Sequence, residues 1–402
     1  MRSPIPYGRQ SIGERDISSV VEVLRSALLT SGPKVEEFEG RLAALVGAKH
    51  AVAVNSATAA LHLAMRVAGV GAGDRVVTSP NTFLASANAA AYTGATPDFS
   101  DVDPVAHNLD PEALRATWRS DTKAVVAVDF AGQPCAMPAL ARVARDRGAV
   151  VIEDASHALG GGFNHDGRSW NVGGHPWADA TVFSFHPVKT ITTGEGGMFV
   201  TDRKDWADAA RRLRSHGVDR AVFSGLGEDE DAGMAERGPW YYEMQELGYN
   251  YRLPDVLCAL GLSQLDQLAG FISRRREIVA RYNEGLKEIR GVDLPGLLDR
   301  ANRDLISWHL YVLQIDFEAV GKTRTEVMAA LRSRGVGTQV HYIPVHLQPW
   351  YRRTYGYRVG KCPAAEAFYR RALSLPLFPA MTDQEVSHVI GAFHEVIGTA
   401  TR

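Results

Sequence analysis

Residues Thr181–Thr201 read T-V-F-S-F-H-P-V-K-T-I-T-T-G-E-G-G-M-F-V-T. The run Thr181–Phe185 is β-branched and aromatic and breaks at Pro187, which predicts a buried strand ending in a turn. Met198–Thr201 is a second apolar run after a glycine-rich turn, so Lys189 falls in a loop between two strands with its amine free to enter a cleft. A lysine becomes nucleophilic when desolvation or a neighbouring cation lowers its pKa, and Schiff-base formation with a carbonyl cofactor is the common use of such a residue. A lone lysine in a polar turn is ordinarily a solvated surface residue. The case therefore rests on what surrounds it.

Upstream, Ala149–Asp154 (A-V-V-I-E-D) is a hydrophobic run ending in two carboxylates, the pattern of a buried parallel strand whose C-terminal end opens on a site. A carboxylate there can pair with a protonated pyridine nitrogen and keep the ring an electron sink. His157 is placed to hydrogen-bond the ring's phenolic oxygen or to stack near it. Alone, Asp154 equally suits a helix N-cap and His157 a structural role; the combination of a strand-end Asp with a later strand-loop Lys favours the site.

The segments E-D-A-S-H-A-L-G, F-S-F-H-P-V-K-T-I-T-T-G-E-G-G-M and L-G-Y-N-Y-R-L-P-D-V-L-C-A-L-G-L-S-Q-L together resemble the sugar aminotransferases of the DegT/DnrJ/StrS family. The likeness runs from about Pro6 to the C-terminus and, within the family, is greatest to the nucleotide-sugar 4-aminotransferases of pseudaminic acid biosynthesis. It implies an α/β chain of the fold type I class that uses pyridoxal 5'-phosphate (PLP). Such a chain has a large domain with a mostly parallel seven-stranded sheet and a smaller C-terminal α/β domain. The division is expected at residues 1–255, arm and PLP-binding domain, and 256–402, linking helix and small domain.

Bulk composition agrees with an ordinary enzyme. The 402 residues are 45% hydrophobic and 22% charged with net charge −2, so no basic surplus points to nucleic acid or an anionic membrane. The N-terminal residues lack a signal-peptide core, and no run of about 18 uninterrupted apolar residues appears. A cytoplasmic enzyme is expected. Cys135, Cys258 and Cys362 are widely spaced, which argues against a disulfide framework or a metal site.

Along the chain, strand and helix patterns alternate: Arg75–Thr78, Thr96–Val102, Ala124–Asp129 and Ala149–Asp154, with helices from Thr82, Pro111 and Met137 between them. That alternation builds a parallel sheet covered on both faces. No dinucleotide glycine fingerprint follows the first strand, Ala51–Val54. Ile5–Gly8 reads as an extended arm able to cross to a partner, Ser11–Ser26 as a helix with a serine cap, and Pro254 to about Arg290 as a long helix. Asp219–Trp240, with the acidic run Glu228–Asp231, reads as a mobile loop. G-V-G-T-Q-V-H-Y-I-P-V-H resembles the family's substrate-side strand.

Ser56, Ala57 and Thr58 open a helix whose free N–H groups can cradle a phosphate, although an ordinary capped helix reads the same way. With the lysine motif in place, Ala57 and Thr58 are assigned to the PLP phosphate and Ser56 to the substrate side. The resemblance adds Ser184, the family's serine five residues before the lysine, on the phosphate, and Phe83 against the cofactor's face, where the alternative is a core phenylalanine. It adds Asn250, sent across a homodimer interface to the neighbouring subunit's phosphate, so that two sites are shared. Tyr7, Thr30, Gln339, His341 and Tyr342 are substrate-side candidates, with packing an equal alternative.

The implied reaction moves the amino group of L-glutamate to the C4 keto group of a nucleotide-linked 4-keto-6-deoxy-hexose, with a UDP sugar favoured over dTDP- or GDP-linked ones and over C3 amination. Lys189 carries the cofactor and the proton. A related sugar dehydratase has histidine at the lysine position, which Lys189 opposes. A non-catalytic regulatory homologue has no need of Asp154, Ser184, Lys189 and Asn250 together.

Overall fold

In the computed structural model, residues 4–220 and 239–398 are described; most of the predicted acidic loop lies outside them. The runs β1 (His50–Val54), β2 (Arg75–Thr78), β3 (Thr96–Phe99), β4 (Thr122–Val128) and β5 (Val150–Asp154) are buried along nearly their whole length, as strands covered on both faces must be. A hairpin of β6 (Gly162–His165) and β7 (Arg168–Asn171), which the sequence reading missed, precedes β8 (Ala180–Ser184) and β9 (Gly197–Thr201).

The seven-stranded sheet has the order β1-β9-β8-β5-β4-β2-β3. Neighbours from β8 to β3 are parallel, and β9 runs antiparallel to both β8 and β1. Helices α1 (Glu14–Leu24), α2 (Pro33–Val46), α3 (Ala57–Val67), α4 (Leu84–Tyr92), α5 (Pro111–Thr117), α6 (Met137–Arg145) and α7 (Lys204–Leu213) cover it. Phe199, Val182, Ile152 and Val126 pack under α3 on one face, and Phe183, Met198 and Val200 pack against Phe38 and Leu42 of α2 on the other. Full burial of each such side chain contributes roughly 1.5–3 kcal/mol.

The short pair β10 (Val218–Asp219) and β11 (Glu243–Met244) leads to α8 (Asp255–Leu286), 32 residues long. By length and composition α8 is apolar enough to cross a membrane, but Cys258, Leu262, Leu265, Leu268 and Ile272 are buried against the face built on α2, and Ile278, Val279, Tyr282 and Leu286 lie in the C-terminal core. Its first residue also serves α2: the Asp255 carboxylate accepts from the amides of Gly32 (2.8 Å) and Lys34 (2.9 Å), taking up donors that helix cannot pair itself.

The C-terminal part has a three-stranded antiparallel sheet, β12 (Val292–Asp293), β13 (Tyr311–Ile315) and β14 (Ala372–Leu375), with α9 (Phe317–Val320), α10 (Arg324–Ser333), α11 (Pro349–Tyr355), α12 (Pro363–Arg371) and α13 (Asp383–Ile397). Three sequence expectations change here. Residues 336–342 form no strand: their pairing is limited to bridges Ile5↔Val336 and Gln339↔Ser374, because the neighbours are an arm and one strand end rather than a continuous edge. The arm, expected to be free to cross, packs on its own chain. Ile5 donates to Gly335 O (2.8 Å), accepts from Gly337 (2.8 Å) and is buried in the C-terminal core. Finally, α1 is capped by Gly13, whose amide donates to Asp16 Oδ2 (2.9 Å), and not by Ser11.

Candidate active site

The C-terminal ends of β1, β4, β5 and β8 meet the N-terminal end of β9 at one edge of the sheet, where open α/β sheets place ligands. The loop carrying Lys189 is pinned back on itself there. Phe185 N donates to Gly196 O (2.9 Å), and the Phe185 carbonyl accepts from Thr193 N and Thr192 Oγ1, both at 3.0 Å. Lys189 N closes a turn on His186 O (2.9 Å). The residue keeps partial exposure while its amine is surrounded by protein. Desolvation lowers its pKa to about 8, against the opposing pull of the Asp154 charge.

Strand alternation separates the two carboxylates that end β5. Glu153 accepts from Thr181 Oγ1 (2.8 Å) and Gly173 N (3.1 Å) and pairs with buried His175 (2.9 Å) away from the site. Asp154, 5% exposed, faces Lys189. Its Oδ1 accepts from Ser156 Oγ (2.6 Å) and its Oδ2 from Ser86 Oγ (2.6 Å). Since the Ser86 proton goes to the carboxylate, the 2.7 Å contact of Ser86 with Thr82 has Thr82 as donor. Asp154 is thus a held acceptor and not a helix cap. Ser86 was missed in the sequence, where nothing but its place one turn into the helix after Phe83 marks it.

Beside Asp154 lies a ring cluster. His157 Nε2 is 3.3 Å from the Tyr342 hydroxyl, and its Nδ1 is buried without a partner among the described residues. His341 Nδ1 is 2.8 Å from Ser374 Oγ, and its ring lies 5.6 Å from that of Tyr7. Burial first, then the Lys189 charge, hold both histidines below their ordinary pKa and therefore neutral. Tyr7 reaches the site because its carbonyl accepts from Leu377 N (3.1 Å) and because Gly8 packs on Val188, next to the lysine. His309, also missed, packs behind His157 with ring centroids 4.4 Å apart.

On the other side, Ser56 caps α3, accepting from Ala59 N (3.1 Å), which leaves the amides of Ala57 and Thr58 pointing out of the helix start. Gly197, cross-strand from Ser184, lies against this turn: a Cβ on it would stand 2.5 Å from Ala57 N. Only a glycine lets β9 approach so closely. Ser184 itself is half-buried at the strand end.

Other candidates stand apart. Phe83 precedes α4 and is 60% exposed, so it is not a core residue. Thr30 and Asn250 are exposed; Asn250 O accepts from Asn55 Nδ2 (3.3 Å), which places it near the start of α3. Gln339 is exposed with its side chain folded onto the amide of Val340 (2.8 Å).

The set comprises a desolvated amine, a buried carboxylate with acceptor capacity left over, an unpartnered imidazole nitrogen and a helix start left open by a glycine. It fits a phosphorylated pyridine aldehyde, one group for each of its polar parts. The fold and site define a PLP-dependent sugar aminotransferase of fold type I. Residues 10–394 match the DegT/DnrJ/EryC1/StrS aminotransferase family, and the chain belongs to it. The spore coat polysaccharide biosynthesis protein SpsC of Bacillus subtilis is 43% identical over 394 residues, covering 98% of this chain and 97% of that protein. Helicobacter pylori PseC, an aminotransferase of pseudaminic acid biosynthesis, superposes with TM-score 0.87 at 29% identity, covering 98% and 99% of the two chains. Spr1654 of Streptococcus pneumoniae, solved in PLP and PMP forms, gives 0.86 at 29% identity and covers 98% of both chains.

Proposed function

We propose that the enzyme transfers the amino group of L-glutamate to the C4 keto group of a nucleotide-linked 4-keto-6-deoxy-hexose, a UDP sugar of the pseudaminic acid type. The observation that carries the reading is the meeting of Lys189, Asp154 and the open start of α3 at one sheet edge, with Tyr7, His341 and Tyr342 walling the same space. The likeness to PseC supports the sugar class.

When bound, PLP supplies an electron sink for the carbon that loses its proton. Lys189 would hold it through its Nζ, and the same amine, with a pKa of about 8, is suited to accept and return a proton at the reacting carbon. Asp154, oriented by Ser86 and Ser156, keeps the ring nitrogen protonated. His157 would take the phenolic oxygen and Phe83 the ring face. The amides of Ala57 and Thr58 with the Ser184 hydroxyl take the phosphate. Exposed Asn250 reaches the phosphate of a partner subunit in a homodimer, and Ser56, Thr30, Tyr7, Gln339, His341 and Tyr342 line the sugar side.

The reading divides the chain after residue 255 and places it in the cytoplasm; three buried free thiols suit a reducing compartment. Adding L-glutamate and then a panel of nucleotide-linked 4-keto-6-deoxy sugars to the PLP-loaded enzyme tests it. Glutamate should bleach the cofactor band and one UDP sugar should restore it. Restoration by dTDP or GDP sugars alone would reassign the substrate, and no bleaching by glutamate would refute the donor.

A further inference from the structure

We propose that His309 is a positioning residue: packed behind His157 and anchored by Arg275, it sets the orientation of the His157 ring in the site. The inference rests on the PLP reading above.

His157 has few constraints of its own. One nitrogen contacts Tyr342 and the other has no partner, so its ring angle depends on what it packs against. The nearest ring is that of His309, at 4.4 Å and tilted by 41°; those of Phe130 and Tyr342 stand farther off, both at 6.4 Å. His309 is fixed through its backbone. Its amide donates to Ala131 O (2.9 Å), in the turn after β4, where Ala131 holds a φ of 59° that residues with a Cβ seldom adopt. Strain kept at such a point marks a carbonyl whose place matters.

From the far side, Arg275 of α8 donates through Nη1 to the carbonyls of His309 (3.2 Å), Trp308 (3.4 Å) and Leu377 (2.8 Å). Arg275 is fully buried, has no carboxylate partner among the described residues, and leaves Nε and Nη2 unbonded. Burying such a cation costs several kcal/mol, and an apolar side chain would fill the space more cheaply. What the arginine supplies is a single long-reaching donor, Nη1, that joins two segments facing the site. One bears His309. The other, through Leu377 N, holds the carbonyl of Tyr7. The His309–His157 contact is also where the residue ahead of β13 touches the loop after β5, so it joins the two sheets beside Lys189.

The test uses PLP-loaded protein and two readouts, the visible circular dichroism of bound PLP, which reports its orientation, and the single-turnover rate with L-glutamate. In His309→Ala, PLP stays bound, the dichroic band changes, and the rate falls by about 10- to 100-fold, the effect of a small misplacement. His309→Phe, which keeps a ring, recovers part of both. Arg275→Lys keeps the charge on a shorter side chain that falls short of the three carbonyls, and behaves like His309→Ala, so the proposal stays testable if the alanine variant does not fold. Tyr282→Phe is the control: it removes a 2.8 Å bond from the same helix to Pro376 O, and should lower Tm while leaving band and rate unchanged. A wild-type band left unaltered in His309→Ala and Arg275→Lys, or equally altered in Tyr282→Phe, overturns the positioning role. A wild-type protein without any PLP band would remove the PLP reading itself and this inference with it.

Discussion

Competitive acetylation of the PLP-free chain should single out Lys189 by its titration. With a pKa of about 8, roughly one amine in eleven is neutral at pH 7; at the ordinary 10.5 the fraction is about one in 3,000, so Lys189 gains about 300-fold in reactive form. Acetic anhydride at trace level, across a pH series, followed by mass spectrometry of the Lys189 peptide, gives the midpoint directly. Surface lysines such as Lys123 are the internal standard. Because the Asp154 charge opposes the desolvation, Asp154→Asn should move the midpoint further down. A Lys189 midpoint near 10.5, or an upward move in Asp154→Asn, would refute the argument that burial activates the amine. The same shift has a stability consequence. The folded pKa lies below the unfolded one, so the unfolded chain holds more protons between about 8 and 10.5 and stability rises with pH across that window.

Lys189→Met removes a charged amine that costs about 3 kcal/mol to bury below pH 8, so the PLP-free variant should resist urea better than wild type at pH 7 and lose that advantage near pH 10.5. Gly197→Ala pushes a methyl to within 2.5 Å of Ala57 N, and dialysis should show PLP retention weakened by tenfold or more, about 1.4 kcal/mol; unchanged retention would mean the α3 start is not the phosphate cradle. Ser86→Ala takes a 2.6 Å bond from a buried carboxylate, worth about 1.5–3 kcal/mol, and should lower both PLP affinity and the Tm of the PLP-loaded form, the latter by more than Ser56→Ala does. Ser56→Ala removes the α3 cap and should cost about 1 kcal/mol in chemical denaturation.

What the sequence made legible was what neighbouring residues encode. The two-sided burial of β4 and β5 appears as unbroken apolar runs, and the Asp154 and Lys189 positions follow from where those runs stop. The open start of α3 was readable for the same reason. Contacts between distant segments were not. Ser86 meets Asp154 across 68 positions, and Arg275 meets Leu377 across 102, and no local pattern distinguishes either from an ordinary helical residue. The supposed strand at 336–342 shows the converse error: the aromatic and branched alternation is real, but a strand also needs an edge to pair with, and β14 offers that stretch a single bridge. At α1 the signal was present and misassigned, since Asp16 folds back to Gly13 and leaves Ser11 out.

Ile5 is embedded in the C-terminal core while Gly8 rests on Val188, so the first described residues are strung between the last-made part of the chain and the lysine loop. During synthesis that span must wait, unseated, until residues 335–377 have emerged.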